Sequence, residues 1–504
     1  MQRSQNRFWA SVPAFFSTLA GVMFLLILIV LVSGEAWFKQ YYQNRSLLGN
    51  LILWVFALAG TGLMGLLAQR SGQSGSERKV LWLTRIAFFI TLVAQFLVAR
   101  ACWYKMGWDI SVVYTTAEEM ARGEAISHPD YFQLCPNNAP LTILQFIPMW
   151  VAVKIGLAVP FVVLPYIDAV LLNAAAYVSV RCVQTLTQNR AVRFFALAVS
   201  IGWIAMSPYI LYPYTDSFAI LFPVLALYAY LRIKQPVLKG FAVSFLCFLG
   251  ASIKPTVLIL LIALVILSVC RFLAERDFSR KALLRAAAVI AAVIIGMLPG
   301  KLFQDGTTAY LAGETTPQGQ LSETHYLMLG MNGETFGGHS TGDVEFSTSY
   351  ETLSERRAAN IRRAWERLTE RSLMENLHFF AVKAFKAYAD GSFAAHSSFL
   401  ELEVPKRSDA LSTFLRDFYY EDGAYMPYCQ TAAQCLWLML LLLCARGGIR
   451  MRKHPAAALI GLTLIGVTAY LLLFEVWPRY LFLYAPFYLI LASLALEKPL
   501  SFKR

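Results

Sequence analysis

Runs of about 20 apolar residues recur along the whole chain, and each is long enough for a helix to cross a hydrocarbon core about 30 Å thick. Lipid offers the backbone no hydrogen-bond partner, so segments of this kind must close their polar groups within helices. The 504 residues are 58% hydrophobic and 15% charged, where an ordinary soluble domain carries about 25% charge. The expected fold class is an all-α polytopic membrane protein.

The apolar runs predict spans near 12–33, 48–68, 82–103, 159–181, 194–213, 217–232, 238–253, 256–272, 284–302, 429–445, 456–475 and 480–496. The formal net charge of +13 would suit a nucleic-acid partner if the cations formed one patch. They fall instead in short clusters between apolar runs: Arg70, Arg78 and Lys79; Arg271, Arg276, Arg280 and Lys281; Arg446, Arg450, Arg452 and Lys453. Cytoplasmic loops carry such clusters. With the N-terminus inside, these clusters all fall inside, as do Arg190 with Arg193, Arg232 with Lys234 and Lys239, and the tail Lys498, Lys503 and Arg504. The expectation is about twelve spans with both termini cytoplasmic, in the cytoplasmic membrane.

That parity holds only if segment 140–156 is read as an interfacial or re-entrant helix, for which Trp150 and Lys154 suit the headgroup region. The chain then divides into an N-terminal pair of spans (1–80), a transmembrane module (81–302) carrying an external loop 104–158, an external lid segment (303–428), and C-terminal spans (429–504). Within the lid, Leu373, Leu377, Phe380, Ala384 and Phe385 fall at helical spacing. The eight cysteines show no metal-ligand spacing. Cys102 with Cys135, or Cys429 with Cys435, are the pairs that loops outside the membrane would allow.

Ionisable groups at membrane depth are expensive and tend to be paired or functional. Asp109 follows the third span, Asp216 lies where the fifth ends, Lys254 sits at the hairpin of the seventh and eighth, and Glu475 and Arg479 separate the last two. Three carboxylates and two cations on one face suit an anionic lipid headgroup, with cations for phosphate oxygens and a carboxylate for proton transfer. Each also has an ordinary reading as an interface residue, and Asp216 a further one as an N-cap. No Walker A loop, Rossmann glycine motif or metalloprotease signature is present.

These residues, with Pro136-Asn137-Asn138, Tyr214-Thr215-Asp216, His325 through Asn332 and Asp390-Gly391-Ser392-Phe393, give the chain a resemblance to the GT-C glycosyltransferases. That polytopic superfamily includes protein O-mannosyltransferases and bacterial lipid A aminoarabinose transferases. The resemblance covers most of residues 80–500. It departs from the usual plan in one respect: the acidic loop follows the third span rather than the first.

The resemblance implies an inverting hexosyl- or pentosyltransferase that moves a sugar from a polyprenyl-phosphate donor to a glycan, lipid or protein acceptor of the cell envelope. Asp109 would be the general base and Asp216 a second catalytic carboxylate. Lys254, Arg479 and Tyr480 would hold the donor phosphate, with Asn137, Asn138, His325 and Glu475 as substrate contacts. The resemblance names no particular cofactor, and a divalent cation shared by the two aspartates is left open. The rival expectations are a lipid-linked-sugar flippase and a non-catalytic envelope-assembly protein.

Overall fold

The computed structural model describes residues 2–37, 50–313, 318–395, 401–405 and 409–497; the basic tail Lys498, Lys503 and Arg504 lies outside them. Three long apolar helices come first: α1 (Gln2–Trp37), α2 (Asn50–Arg70) and α3 (Glu77–Cys102). A polar excursion follows with α4 (Trp108–Arg122), α5 (Asp130–Leu134) and α6 (Ala139–Lys154). The chain then builds α7 (Val163–Leu186), α8 (Arg190–Val199), α9 (Thr215–Ala219), α10 (Leu221–Arg232), α11 (Pro236–Ile253), α12 (Leu258–Glu275) and α13 (Arg280–Ala312). A second polar segment holds α14 (Glu323–Gly330), α15 (Thr341–Thr348), α16 (Leu353–Glu370), α17 (Leu373–Tyr388) and α18 (Ala410–Tyr419). The last three helices are α19 (Met426–Arg450), α20 (Pro455–Leu473) and α21 (Ala485–Ala495). A short strand β1 (Lys105–Met106) pairs antiparallel with β2 (Glu401–Glu403).

Among the described residues, 11 helical runs are long and apolar enough to cross a membrane. The chain is therefore an all-α polytopic membrane protein. The remaining expected span, 217–232, is α9 and α10 separated at Ile220. Pro223 accounts for the break: its ring clashes with the carbonyl four residues back, at Ala219, where α9 ends. Segment 140–156 forms α6, whose 16 residues extend roughly 24 Å, short of a hydrocarbon core. It packs against α4 and α13. The helix expected over 284–302 runs on to Ala312, which lengthens that element beyond the expected boundary at 302.

The first two helices do not stand apart from the rest. α1 packs against α12, α17, α19 and α20, and α2 against α19. A side chain at Gly21 would meet the Ala445 carbonyl at 2.8 Å, and one at Gly448 would strike the backbone of Gly21 at 2.5 Å. Glycines at both positions let these helices touch backbone to backbone, which is how helices associate where water supplies no hydrophobic drive. The Ser17 hydroxyl closes the crossing by donating to Gly448 O at 2.9 Å.

A π-helical turn over Ser200–Ala205 interrupts the span that runs from Arg190 to Leu211. Gln95 on α3 donates to the Ala205 carbonyl at 2.7 Å and accepts from Asn173 Nδ2 on α7 at 2.8 Å. Irregular backbone at membrane depth is tolerated where side chains satisfy it in this way. In the second polar segment, capping boxes of Thr352 with Glu355 and Ser372 with Glu375 start α16 and α17. The inward stripe of α17 is Phe379, Val382, Lys383, Phe385 and Tyr388, whereas Leu373 and Leu377 are exposed.

Candidate functional site

Most of the charged residues singled out in the sequence meet where several spans end. Gly107 is extended and Trp108 takes a left-handed conformation (φ 65°), which costs a bulky residue about 1–3 kcal/mol. The strain sets Asp109 in the first turn of α4, exposed, beside an indole that is 67% exposed. A carboxylate there is favoured by the helix dipole.

Asp109 faces a group of tyrosines. Its carboxylate acts electrostatically on Tyr131, Cys135, Tyr214 and Tyr326. Burial pushes the Cys135 thiol up to about 12, with the Asp109 charge adding to the effect. The Tyr326 phenol is held well above its ordinary range, first by burial and then by Cys135, Glu475, Tyr214 and Asp109. Asn138, buried at the start of α6, donates to Tyr131 OH at 2.5 Å and to Tyr214 OH at 3.3 Å. Asn137 lies against it, with Nδ2 3.3 Å from Asn138 Oδ1.

Tyr214 stands between this group and a second one, since both the Asp109 carboxylate and the Arg479 guanidinium act on it. Pro478 holds Trp477 extended and opens a 3₁₀ turn over Pro478–Tyr484 that carries Arg479. Arg479 Nη1 donates to the Tyr212 hydroxyl, and its guanidinium lies 5.4 Å from the Tyr214 ring centre and 5.3 Å from that of Tyr480. The Tyr480 hydroxyl donates to Glu475 Oε2 at 2.7 Å. Arg479, Tyr480 and Glu475 are each half-buried.

Lys254 and Asp216 form a buried ion pair at the floor. Lys254 closes α11 in an extended conformation that Pro255 favours. Its ammonium lies 4.5 Å from the Tyr480 ring centre. Asp216 is not the N-cap, a position held by Tyr214; it lies in the first turn of α9. Its second oxygen, Oδ2, is buried without a hydrogen bond among the described residues.

His325 is not part of this gathering. Its Nδ1 is 2.7 Å from Ser347 Oγ, which itself donates to Asn360 at 3.0 Å, inside the lid helices. Burial lowers its pKa to about 4. The neighbouring Tyr326 is the residue of that motif that faces the site. The sequence reading missed it because α14 is short and gives no periodic signal. It also missed Asp168 on α7, whose two carboxylate oxygens are buried without a hydrogen bond among the described residues. The Ser217 hydroxyl lies beside Asp168 but donates to Tyr212 O (2.6 Å) and Tyr214 O (3.1 Å). A lone acid in an apolar run was the available signal.

The second polar segment braces the site. Lys383 Nζ, fully buried on α17, donates to Gly330 O at 2.6 Å and to Phe474 O at 2.8 Å, next to Glu475. Burial, with Lys386 and Arg371 nearby, lowers its pKa to about 7. Among the described residues no group of three or more His, Cys, Asp or Glu side chains is placed to hold a metal ion. All eight cysteines are free thiols, including the two pairs considered from the sequence.

Beside the site a lateral cavity of about 360 Å³ opens between α3, α18 and α19, with Trp203, Tyr209, Phe393, Phe414, Phe418 and Phe482 in its wall. Tyr209 stacks on Phe482 at 3.9 Å and meets Tyr212 edge-on at 5.4 Å. Two rings, Tyr209 and Tyr212, thus link the wall of the apolar cavity to Arg479.

No curated protein and no solved structure matches this chain. The family described as conserved hypothetical integral membrane protein matches residues 15–500. Matched over nearly its whole length, the chain belongs to that family.

Proposed function

We propose that the protein is an inverting membrane glycosyltransferase of the GT-C kind, taking its sugar from a polyprenyl-phosphate donor. One observation carries this reading: an exposed carboxylate, Asp109, and a half-buried guanidinium, Arg479, act on the same tyrosine, Tyr214. A base and an anion-binding cation on either side of one phenol are the two groups that transfer from a lipid phosphate needs. The apolar cavity beyond Tyr212 and Tyr209 suits a hydrocarbon chain.

In this mechanism the acceptor hydroxyl oxygen attacks the anomeric carbon and its proton passes to Asp109. The bond from that carbon to the phosphate oxygen breaks, and the phosphate leaves with the electron pair. Attack opposite the leaving group inverts the anomeric centre. Arg479 stabilises the departing phosphate, since a guanidinium offers several N–H donors in a fixed plane. Lys254, neutralised by Asp216, supports the Tyr480 ring and the local field rather than meeting phosphate directly. Tyr131, Asn138 and Tyr326 shape the acceptor side. In this reading the site faces outside and both termini lie inside, the orientation that the loop charges favour.

The test is Asp109→Asn in proteoliposomes supplied with polyprenyl-phosphate sugars. Transfer is expected to fall by about 10²–10⁴-fold with unchanged protein level and heat stability. Undiminished transfer would overturn the role of Asp109. Movement of the lipid between leaflets without transfer would favour a flippase.

A further inference from the structure

A second polar pocket lies at the other end of the bundle. Tyr212 and Arg479 stand at one end of the spans Arg190–Leu211 and Pro478–Ala495, and Asn189 and Glu497 at the other. Spans of this length extend about 27–33 Å, so the two sites are a membrane thickness apart. The pocket has a volume of about 300 Å³. Its wall includes Gln69, Gln73 and Gln188 together with Arg446 and Arg450 of α19.

Arg446 and Arg450 are one helical turn apart, where like charges repel. The charge acting on Arg446 is that of Arg450, and neither has an ion-pair partner among the described residues. The arrangement is a pair of cations, Arg446 half-buried and Arg450 exposed, in the wall of one cavity. Glu497 also borders the pocket, but it accepts a hydrogen bond from the Thr187 hydroxyl. Asn189 is likewise occupied, donating to Ala68 O at 2.7 Å and accepting from Ala191 N at 3.0 Å. Two cations therefore face one engaged carboxylate. The Arg446 guanidinium lies alongside Gly65 of α2, where a Cβ would stand in ordinary contact, 3.6 Å from Nη1.

We propose that this pocket binds a phosphate group, presented in the membrane by an anionic glycerophospholipid headgroup in the leaflet opposite the candidate site. Two guanidinium groups with amide donors around them match phosphate oxygens in charge and geometry. The pocket sits where α2, α19 and α21 end, which is headgroup depth. Exposed Arg70 and Arg190 lie at the same end and would draw anionic lipid toward it. The site is independent of the glycosyltransferase reading.

The full-length protein, delipidated in neutral detergent, is titrated with phosphatidylglycerol or phosphatidylcholine and bound lipid is counted by native mass spectrometry. The wild type is expected to hold one phosphatidylglycerol, with a preference of about 10-fold or more over phosphatidylcholine. Arg446→Gln with Arg450→Gln should abolish the preference. Arg452→Gln with Lys453→Gln, which removes equal charge from the neighbouring exposed turn, should leave it intact. If the glutamine pair fails to fold, Arg446→Lys with Arg450→Lys reads the same point: charge stays, two-point bonding goes, and the preference should still drop. Inorganic phosphate should displace the lipid; phosphate bound with the same arginine dependence, but no lipid, would assign the pocket to free phosphate. Equal retention of phosphatidylglycerol by all variants, or no binding of either probe, would overturn the proposal.

Discussion

Asn138 Nδ2 donates to the Tyr214 hydroxyl at 3.3 Å, joining the loop that follows Asp109 to the turn that precedes Asp216. The same amide donates to Tyr131 OH, so one side chain sets two phenols. Because it is buried, replacement by an apolar residue leaves both without that partner, at a cost of about 1–3 kcal/mol. Asn138→Leu is expected to lower transfer by roughly 10²-fold through misplacement of Tyr214. Initial rates with lipid-linked sugar check this, and transfer within a factor of two of wild type would refute it.

Arg479 separates charge from geometry. Arg479→Lys keeps a cation but loses the planar set of donors, and about 10–10³-fold of the transfer rate should go with it. Arg479→Ala should lose more and should raise the donor concentration needed for half-saturation. Equal rates for the lysine variant and the wild type would mean that a point charge suffices.

The buried Lys254–Asp216 pair makes an energetic prediction. Removing one partner strands the other charge, at a cost of about 3–5 kcal/mol. Lys254→Met or Asp216→Leu alone should therefore lower the thermal midpoint in detergent sharply. The double variant should recover more than half of that loss, because two apolar side chains leave no charge uncompensated. Additive losses in the double variant would show that the pair is not a unit.

His325 couples the lid to pH. Its pKa falls from 6.5 to about 4 on folding. Between those values the unfolded chain binds a proton that the folded chain does not, so stability is full above pH 6.5 and declines as pH falls toward 4. The loss reaches roughly 3 kcal/mol. Ser347 donates onward to Asn360 and so accepts from Nδ1–H of a neutral ring. His325→Asn should flatten the stability profile over this window, as followed by heat denaturation at a series of pH values.

Part of this architecture was legible without coordinates. Apolar run length specified the membrane class, and nearly every expected span has its helix. The helical spacing of Leu373, Leu377, Phe380, Ala384 and Phe385 marked α17. Asp109, Asp216, Lys254, Glu475 and Arg479 were each visible as charges beside apolar runs, because the cost of burying charge makes such positions stand out locally.

Their grouping was a different matter. Nothing local distinguishes Lys254 as the partner of Asp216, 38 positions away, or Tyr212 as the acceptor for Arg479, 267 positions away. The close crossing at Gly21 and Gly448, the buried Asp168 and the turn of Tyr326 toward the site also depend on which helix faces show toward one another. Sequence alone determined that the chain spans a membrane and where polar side chains leave it. Helix packing decided which of them meet, because hydrophobic length and charge are properties of a segment, whereas an ion pair or a shared hydrogen bond needs two segments brought together.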